Sequence, residues 1–280
     1  MPKNVVLGIT IENRSKTNKL TIKNAKGIHK YSQNTWYEHD IGLPLAESLL
    51  SNRLQTIPLT KNTVLPGETV QLGYYLMNTN DALGLINDFT IAKSGVGSMN
   101  YVIRTVVSEV DYDIKTIKNK PVPADKQNAH PRGVWASSDL TVTLPEYQIG
   151  QEVTYNISNG KTDDLLSANN SLVDPLNSIS NKGHFGVVYK VMIPYVNTTD
   201  ETKNIQVRIG SRGGDYSGSV KTKNGVYNVP TIQSMKDVAI VVNEQITPCC
   251  GENSSGVIKL DIVHAGGASL PIAINVITVD

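Results

Sequence analysis

Apolar residues fall at every second position through most of this chain, in short runs. Val5, Leu7, Ile9 and Ile11 form one such series, Val70, Leu72, Tyr74 and Leu76 another, and Leu140, Val142 and Leu144 a third. A repeat of two is that of an extended strand with one face turned to a core. Gly, Pro, Asn and Asp stand between the runs, as in Leu65-Pro66-Gly67-Glu68 before the second series. Strands recurring roughly every eight to fifteen residues with such punctuation restrict the chain to sandwiches or a barrel. One segment departs from the pattern. In Pro44 to Leu54, Leu49 and Leu50 follow Leu45 at helical spacing, Pro44 suits a first turn and Glu47 lies near the positive end. The expected fold is all-β, two β-sandwich domains of jelly-roll or Ig-like type with little helix.

With 280 residues, 39% of them hydrophobic, the chain can fill one large or two ordinary cores. Between Asp111 and Pro131 the apolar content falls and lysines, prolines and asparagines crowd together, which predicts a linker or crossover. The expected division is an N-terminal sandwich over 1–115, a connector over 116–133 and a C-terminal sandwich over 134–280. Gly27 to Asp40 mixes aromatic and polar residues and suits an exposed loop or edge. Asp163 to Pro175 reads as a loop with one helical turn.

Charge and hydropathy exclude some functions. Basic and acidic residues nearly cancel, 26 against 25, and no block of like charge occurs, so neither nucleic acid nor an anionic membrane is an expected partner. No run approaches the length of a membrane span, and the N-terminal residues lack the pattern of a signal peptide, so a soluble chain is expected.

The stretch from Asn181 to Gly218 carries the densest pattern. Val187 to Val196 and Ile205 to Ile209 read as two strands of a hairpin joined by the turn Asn197 to Lys203, followed by the glycine corner Gly210 to Gly218. The corner matches no phosphate-binding loop. It reads as a tight turn with Arg212 and Asp215 pairing locally, or as a surface that touches a neighbouring subunit. The two cysteines, Cys249 and Cys250, are adjacent. They read as idle thiols, as bonds to another chain from an exposed turn beside Pro248 and Gly251, or as a redox pair.

Catalytic and metal-binding patterns are sparse. Glu38-His39-Asp40 could hold a metal, yet in a strand His39 would face away from its neighbours, so a solvated loop is the simpler reading. His264 and Ser269 invite a hydrolase pairing without an identifiable acid. Asp111 with Asp113, and Asp163 with Asp164, could bind calcium but lack the loop that would cage it. Trp36, Tyr37, Tyr74 and Tyr75 could stack on a sugar. No catalytic residue, cofactor or metal site is therefore expected.

Three segments carry a resemblance: Asn181-Lys182-Gly183-His184-Phe185-Gly186-Val187-Val188-Tyr189-Lys190, Arg212-Gly213-Gly214-Asp215-Tyr216-Ser217-Gly218, and His264-Ala265-Gly266-Gly267-Ala268-Ser269-Leu270-Pro271. With Leu43 to Leu54, Val64 to Glu68 and His130 to Val134, they resemble an uncharacterised β-rich region of surface proteins from spore-forming Gram-positive bacteria, often found with copper-amine-oxidase-like stalk domains. The resemblance implies an extracellular protein of a bacterial cell or spore surface without assigned catalysis. The chain departs from that pattern in lacking a stalk domain and a signal peptide and in carrying the cysteine pair.

These readings lead to one expected function: a self-assembling structural subunit of a surface filament or layer, a polymer of itself. Its expected contacts are β-strand addition through Val5, Val6, Leu7, Ile9 and Ile11, the corner residues Arg212 and Asp215, and intermolecular disulfides from Cys249 and Cys250. The alternative is a non-catalytic β-sandwich module that binds a carbohydrate, such as a surface polysaccharide, or another ligand.

Overall fold

A computed structural model describes residues 4–122, 133–172, 179–248 and 254–279. About 53% is strand and 8% helix, and the strands form several sheets, an all-β fold consistent with β-sandwich domains. The chain divides into two compact units, one of residues 1–36 and 53–122, the other of residues 37–52 and 123–280. Residues 37–52, expected within an N-terminal domain over 1–115, thus belong to the second unit.

In the first unit, strand β1 (Val5–Asn13) lies between β3 (Thr69–Met77) and β5 (Tyr101–Glu109), antiparallel to both. The facing sheet is built on β2 (Leu20–Ser32). It pairs along most of its length with β4 (Ala82–Lys93), and at two points with the short strands Gln55–Thr56 and Thr63–Val64. Ile9, Ile11, Val70 and Leu72 from one sheet pack on Leu20, Ile22 and Val64 from the other. The outer face of β1 is covered separately. A short 3-10 turn, Ile114–Thr116, sends Ile114 against Val6 and Val106. Gly8 makes room for it, because a Cβ there would fall on the Ile114 side chain. The region expected to be a linker or crossover therefore begins with a packed turn, and Gly27 to Ser32, expected as an exposed loop or edge, completes β2, paired beyond Gly27 on one side only among the described residues.

The second unit is a larger sandwich. One sheet has the order β11 (Gly225–Ile232), β10 (Tyr216–Thr222), β13 (Ser254–His264), β8 (Val188–Asn197), β6 (Asp139–Thr143). The other runs β7 (Glu152–Ile157), β14 (Ile272–Val279), β9 (Lys203–Ser211), β12 (Val238–Ile246). Tyr189, Val191, Ile193, Leu260 and Ile262 from the first sheet meet Ile205, Val207, Ile209, Ile274 and Val276 from the second, each fully buried.

This arrangement corrects the hairpin expected over Val187 to Ile209. β8 and β9 do not pair; they lie in opposite sheets. The turn between them is an arch held by Asn197, which is fully buried. Its amide donates to the Glu201 carbonyl at 3.0 Å and its side-chain oxygen accepts from the Thr199 backbone at 3.0 Å. An Asx-type turn of this kind redirects the chain without a ladder, so both strands can face the same core. The glycine corner returns the chain to the first sheet at β10.

Helix α1 (Leu43–Leu50) follows a single π-helical turn, Glu38–Gly42, with Pro44 in its first turn as expected. It covers the outer face of the larger sheet, where Ala46 and Leu50 pack on Val263. That explains why consecutive residues Ile262 and Val263 are both buried, against the rule of alternation: one faces the core, the other the helix. The helix sits on β10, whose Ser217 and Ser219 are fully buried and small. Glu47 accepts a hydrogen bond from Asn228 at 2.8 Å, and His39 Nε2 lies 2.7 Å from the Thr231 hydroxyl.

Candidate functional site: a free sheet edge in the first unit

The residues expected to recruit a neighbouring strand do not lie at an edge. β1 is central, and its backbone pairs along both sides, Val5 with Met77 and Glu109, Ile11 with Val70 and Ile103. A strand already paired on both sides has no ladder to offer. Val6, Ile9 and Ile11 are buried, and Val5 and Leu7 half-buried. The strand-addition role of Val5, Val6, Leu7, Ile9 and Ile11 is therefore corrected: Leu7, Ile9 and Ile11 face the core, Val6 packs under Ile114 on the outer face, and Val5 lies half-buried in the paired strand.

Both ends of this sheet, β3 and β5, have an unpaired outer side among the described residues, and β5 is the edge whose core-facing side chains stand exposed. Among the described residues, β5 ends its sheet and its outer side pairs with no strand. Its side chains make the edge unusual. Register places Ile103 beside Ile11 and Val107 beside Leu7, on the face that β1 turns to the core. Ile103 is nevertheless 42% exposed and Val107 63%. Tyr101, on the same face, is also exposed. The core face of this sheet thus continues onto β5, where its side chains stand exposed among the described residues. Along the strand lies a groove of about 720 Å³, walled on its far side by residues 117–122.

Charge near the groove is arranged around one carboxylate. Glu12 Oε2 is 2.7 Å from Arg104 and 3.3 Å from Arg14, and Glu12 Oε1 is 3.6 Å from Lys118. Burial pushes the Glu12 carboxyl up, but the Arg104 hydrogen bond and the three cations outweigh it and hold the group below its usual range. Arg104 Nη1 is buried and finds no partner among the described residues.

The other expected contact residues separate from this edge. Arg212 and Asp215 belong to the second unit, are both exposed, and do not pair with each other. The Arg212 guanidinium donates to the Ser211 carbonyl at 3.3 Å, and the Asp215 backbone carbonyl accepts from Ser269 N at 2.9 Å. The glycines answer to a close approach: a Cβ on Gly213 would fall on the Leu270 carbonyl oxygen. Cys249 and Cys250 lie outside the described residues.

Sequence spacing concealed a buried polar cluster in the second unit. Ser158, with φ of 53°, stands between two histidines: His264 Nε2 is 2.8 Å from its hydroxyl and His184 Nδ1 3.3 Å. His264 Nδ1 is 3.1 Å from the Tyr216 hydroxyl, and His184 Nε2 donates to the Asp164 carbonyl at 2.8 Å. Asp163 accepts from the Ser158 and Asn159 backbones and, at 2.8 Å, from the Tyr189 hydroxyl. The His184 ring stacks on Tyr189 at 4.7 Å. Desolvation lowers both histidines; for His264, with the neighbouring His184 adding to it, the value falls to about 3. Burial raises the Tyr189 and Tyr216 hydroxyls. His264 is thus engaged with Ser158 and Tyr216 rather than with Ser269, and Asp163 turns its oxygens to protein donors rather than to calcium.

Asp113 caps the turn at Ile114, accepting from Lys115 N at 3.1 Å. Glu38, His39 and Asp40 lie in a helical turn, not a loop. Among the described residues no group of three or more His, Cys, Asp or Glu side chains could hold a metal, and no helix is long and apolar enough to cross a membrane, which says nothing of a β-barrel.

No protein-family model and no curated protein matches the chain. Among solved structures, the insecticidal delta-endotoxin Cry8Ea1 of Bacillus thuringiensis aligns over the whole chain at 11% identity with a TM-score of 0.19, and the chain covers 54% of that endotoxin. A superposition of that quality carries no argument about fold or function.

Proposed function

We propose that this chain is a self-associating structural subunit, non-catalytic, whose copies join by strand addition at the free edge of β5. The observation that carries the reading is the exposure of Ile103 and Val107 on a core-facing side of an unpaired edge. A strand from a second copy would complete the ladder and bury the exposed parts of both side chains, roughly 1 kcal/mol each. The near-zero net charge favours it, since copies of a chain at +1 repel little. A head-to-tail contact leaves a new free edge on each added copy and grows a filament or layer; pairing of β5 with itself closes as a dimer. Placement on a bacterial cell or spore surface rests on the sequence resemblance. The buried Ser158 cluster fits a non-catalytic reading, because its histidines and carboxylate are engaged with one another and with the fold.

The test combines light scattering after size exclusion with negative-stain electron microscopy. Wild type is expected to form dimers or ordered polymers as concentration rises. Val107→Lys and Thr105→Pro are expected to stay monomeric with an unchanged circular dichroism spectrum. A wild type that remains monomeric at its solubility limit, or a Val107→Lys chain that assembles as the wild type does, sinks the proposal.

A further inference from the structure

At the other side of the first unit, a pocket of about 390 Å³ opens between β2 and β3. Register explains its position. Gly27, His29 and Tyr31 pair with Asn87, Leu85 and Leu83, so they point between the sheets, and Tyr75, paired with Leu7, points toward them from the facing sheet. Here the core gives way to a different lining. A bulge in β3 opposite Ile9 and Thr10 re-aims the strand at this point. Two glycines keep the space open. The Tyr75 ring folds back over Gly73, where a Cβ would meet it at 2.8 Å, and a Cβ on Gly27 would fall on the Asn87 amide.

The lining has a specific chemistry. Not one Asp, Glu, Lys or Arg contributes to it. Three rings converge: His29 meets Tyr75 edge-on at 5.1 Å and Tyr31 at 5.5 Å. The Tyr75 hydroxyl is fixed by the Asn87 amide, which donates to it at 3.1 Å. Around the rings stand the side chains of Gln55, Thr60 and Gln71, which make no hydrogen bond within the described residues. Rings supply faces for stacking, and unengaged amides and hydroxyls both donate and accept. A charged ligand would find no counter-charge here, and a purely apolar one would desolvate the amides without return.

The geometry points to a binding site for a neutral saccharide, whose C–H face stacks on the exposed Tyr31, held in place by His29 against the buried Tyr75, and whose hydroxyls bond Gln55, Gln71 and Thr60. The site is separate from the β5 edge and does not depend on assembly.

The experiment is isothermal titration of the full chain carrying Val107→Lys, so that binding is read apart from association. The probes are cellotriose, maltotriose and chitotriose as neutral trisaccharides, with trigalacturonate as the anionic control. At least one neutral probe is expected to give a saturable isotherm, and trigalacturonate none. Tyr31→Ala, at an exposed position, is expected to keep its thermal midpoint and bind about tenfold more weakly. Gly73→Ala, which displaces the Tyr75 ring, is expected to lose binding while a Lys221→Ala control retains it. Three results overturn the proposal: no saturable binding by any neutral probe, tighter binding of trigalacturonate, or unchanged affinity in Tyr31→Ala.

Discussion

Mild acid should destabilise the second unit and leave the first nearly untouched. His264 is buried, with Ser158, Tyr216, His184 and the Phe185 ring around it, and no carboxylate bonds it directly. Its folded value near 3 lies far below the ordinary 6.5 of the unfolded chain. Between those values the unfolded chain binds a proton that the folded one refuses. Stability is therefore complete above about pH 6.5 and drains away as pH falls toward the folded value. At about pH 5 the loss from His264 alone is 1.5 units at 1.36 kcal/mol each, about 2 kcal/mol. His184, lowered by the same burial but opposed by Asp163, adds in the same direction. For a unit of this size that is roughly 4–8 °C of Tm. Differential scanning calorimetry from about pH 7 to about pH 5 resolves the effect above the range where ordinary carboxylates titrate. His264→Gln should lower the second unit's transition at neutral pH, through the lost contacts with Tyr216 and Ser158, and flatten its slope with pH. A second-unit transition that does not move over this range, or a His264→Gln chain with the wild-type slope, refutes the reasoning.

Two further substitutions probe the architecture. Leu50→Ala removes the helix anchor on Val263 and should cost about 2–4 kcal/mol in the second unit's urea transition; a loss confined to the first unit would contradict the assignment of residues 37–52. Glu12→Gln leaves Arg104 with a buried, uncompensated guanidinium. It should destabilise the first unit by roughly 3 kcal/mol at neutral pH. Because the Glu12 carboxyl is held low in the folded state, its stabilising contribution is present above the unfolded value and lost as pH falls through the folded one. The mutant should therefore lose less than wild type on acidification, read by circular dichroism melts of the first unit.

The strands were legible because alternation is local. Val70 to Leu76 and Leu140 to Leu144 read as strands without reference to any other residue, and strands form there, though in the first a bulge turns Tyr75 inward and leaves Tyr74 and Leu76, expected inside, exposed. Helix α1 declared itself by Pro44 and the leucine spacing. What spacing cannot give is the partner. The polar turn after Asn197 suits a hairpin or an arch equally, and the choice depends on β8 pairing with β13 and β6. β1 reads as an edge only until β3 and β5 are known to flank it. The destination of α1 left a fainter trace: adjacent apolar Ile262 and Val263 mark a strand covered on both faces. Ser158 and His264 stand 106 positions apart, so no motif could have joined them.

The β5 edge gains weight from how few guards it carries. Sheet edges are ordinarily blunted by a lysine, a proline or an inward charge that repels another strand. β5 has one basic residue, Arg104, and its register turns it to the outer face, where Glu12 binds it and its side chain is only 12% exposed. The cation is held away from the ladder it could guard. The lysines that line the groove, Lys118 and Lys120, lie on the opposite wall, and Lys118 is itself engaged with Glu12. Along β5 the core-facing side presents Tyr101, Ile103, Thr105 and Val107, a run with high strand propensity whose one charge is Glu109 at its end, beside Val5. The same unit covers the outer face of β1 with Ile114 and tolerates Gly8 to do so. A unit that seals one face so closely, while leaving Ile103 and Val107 exposed on the core-facing side of β5, supports the reading that further cover arrives from a second copy.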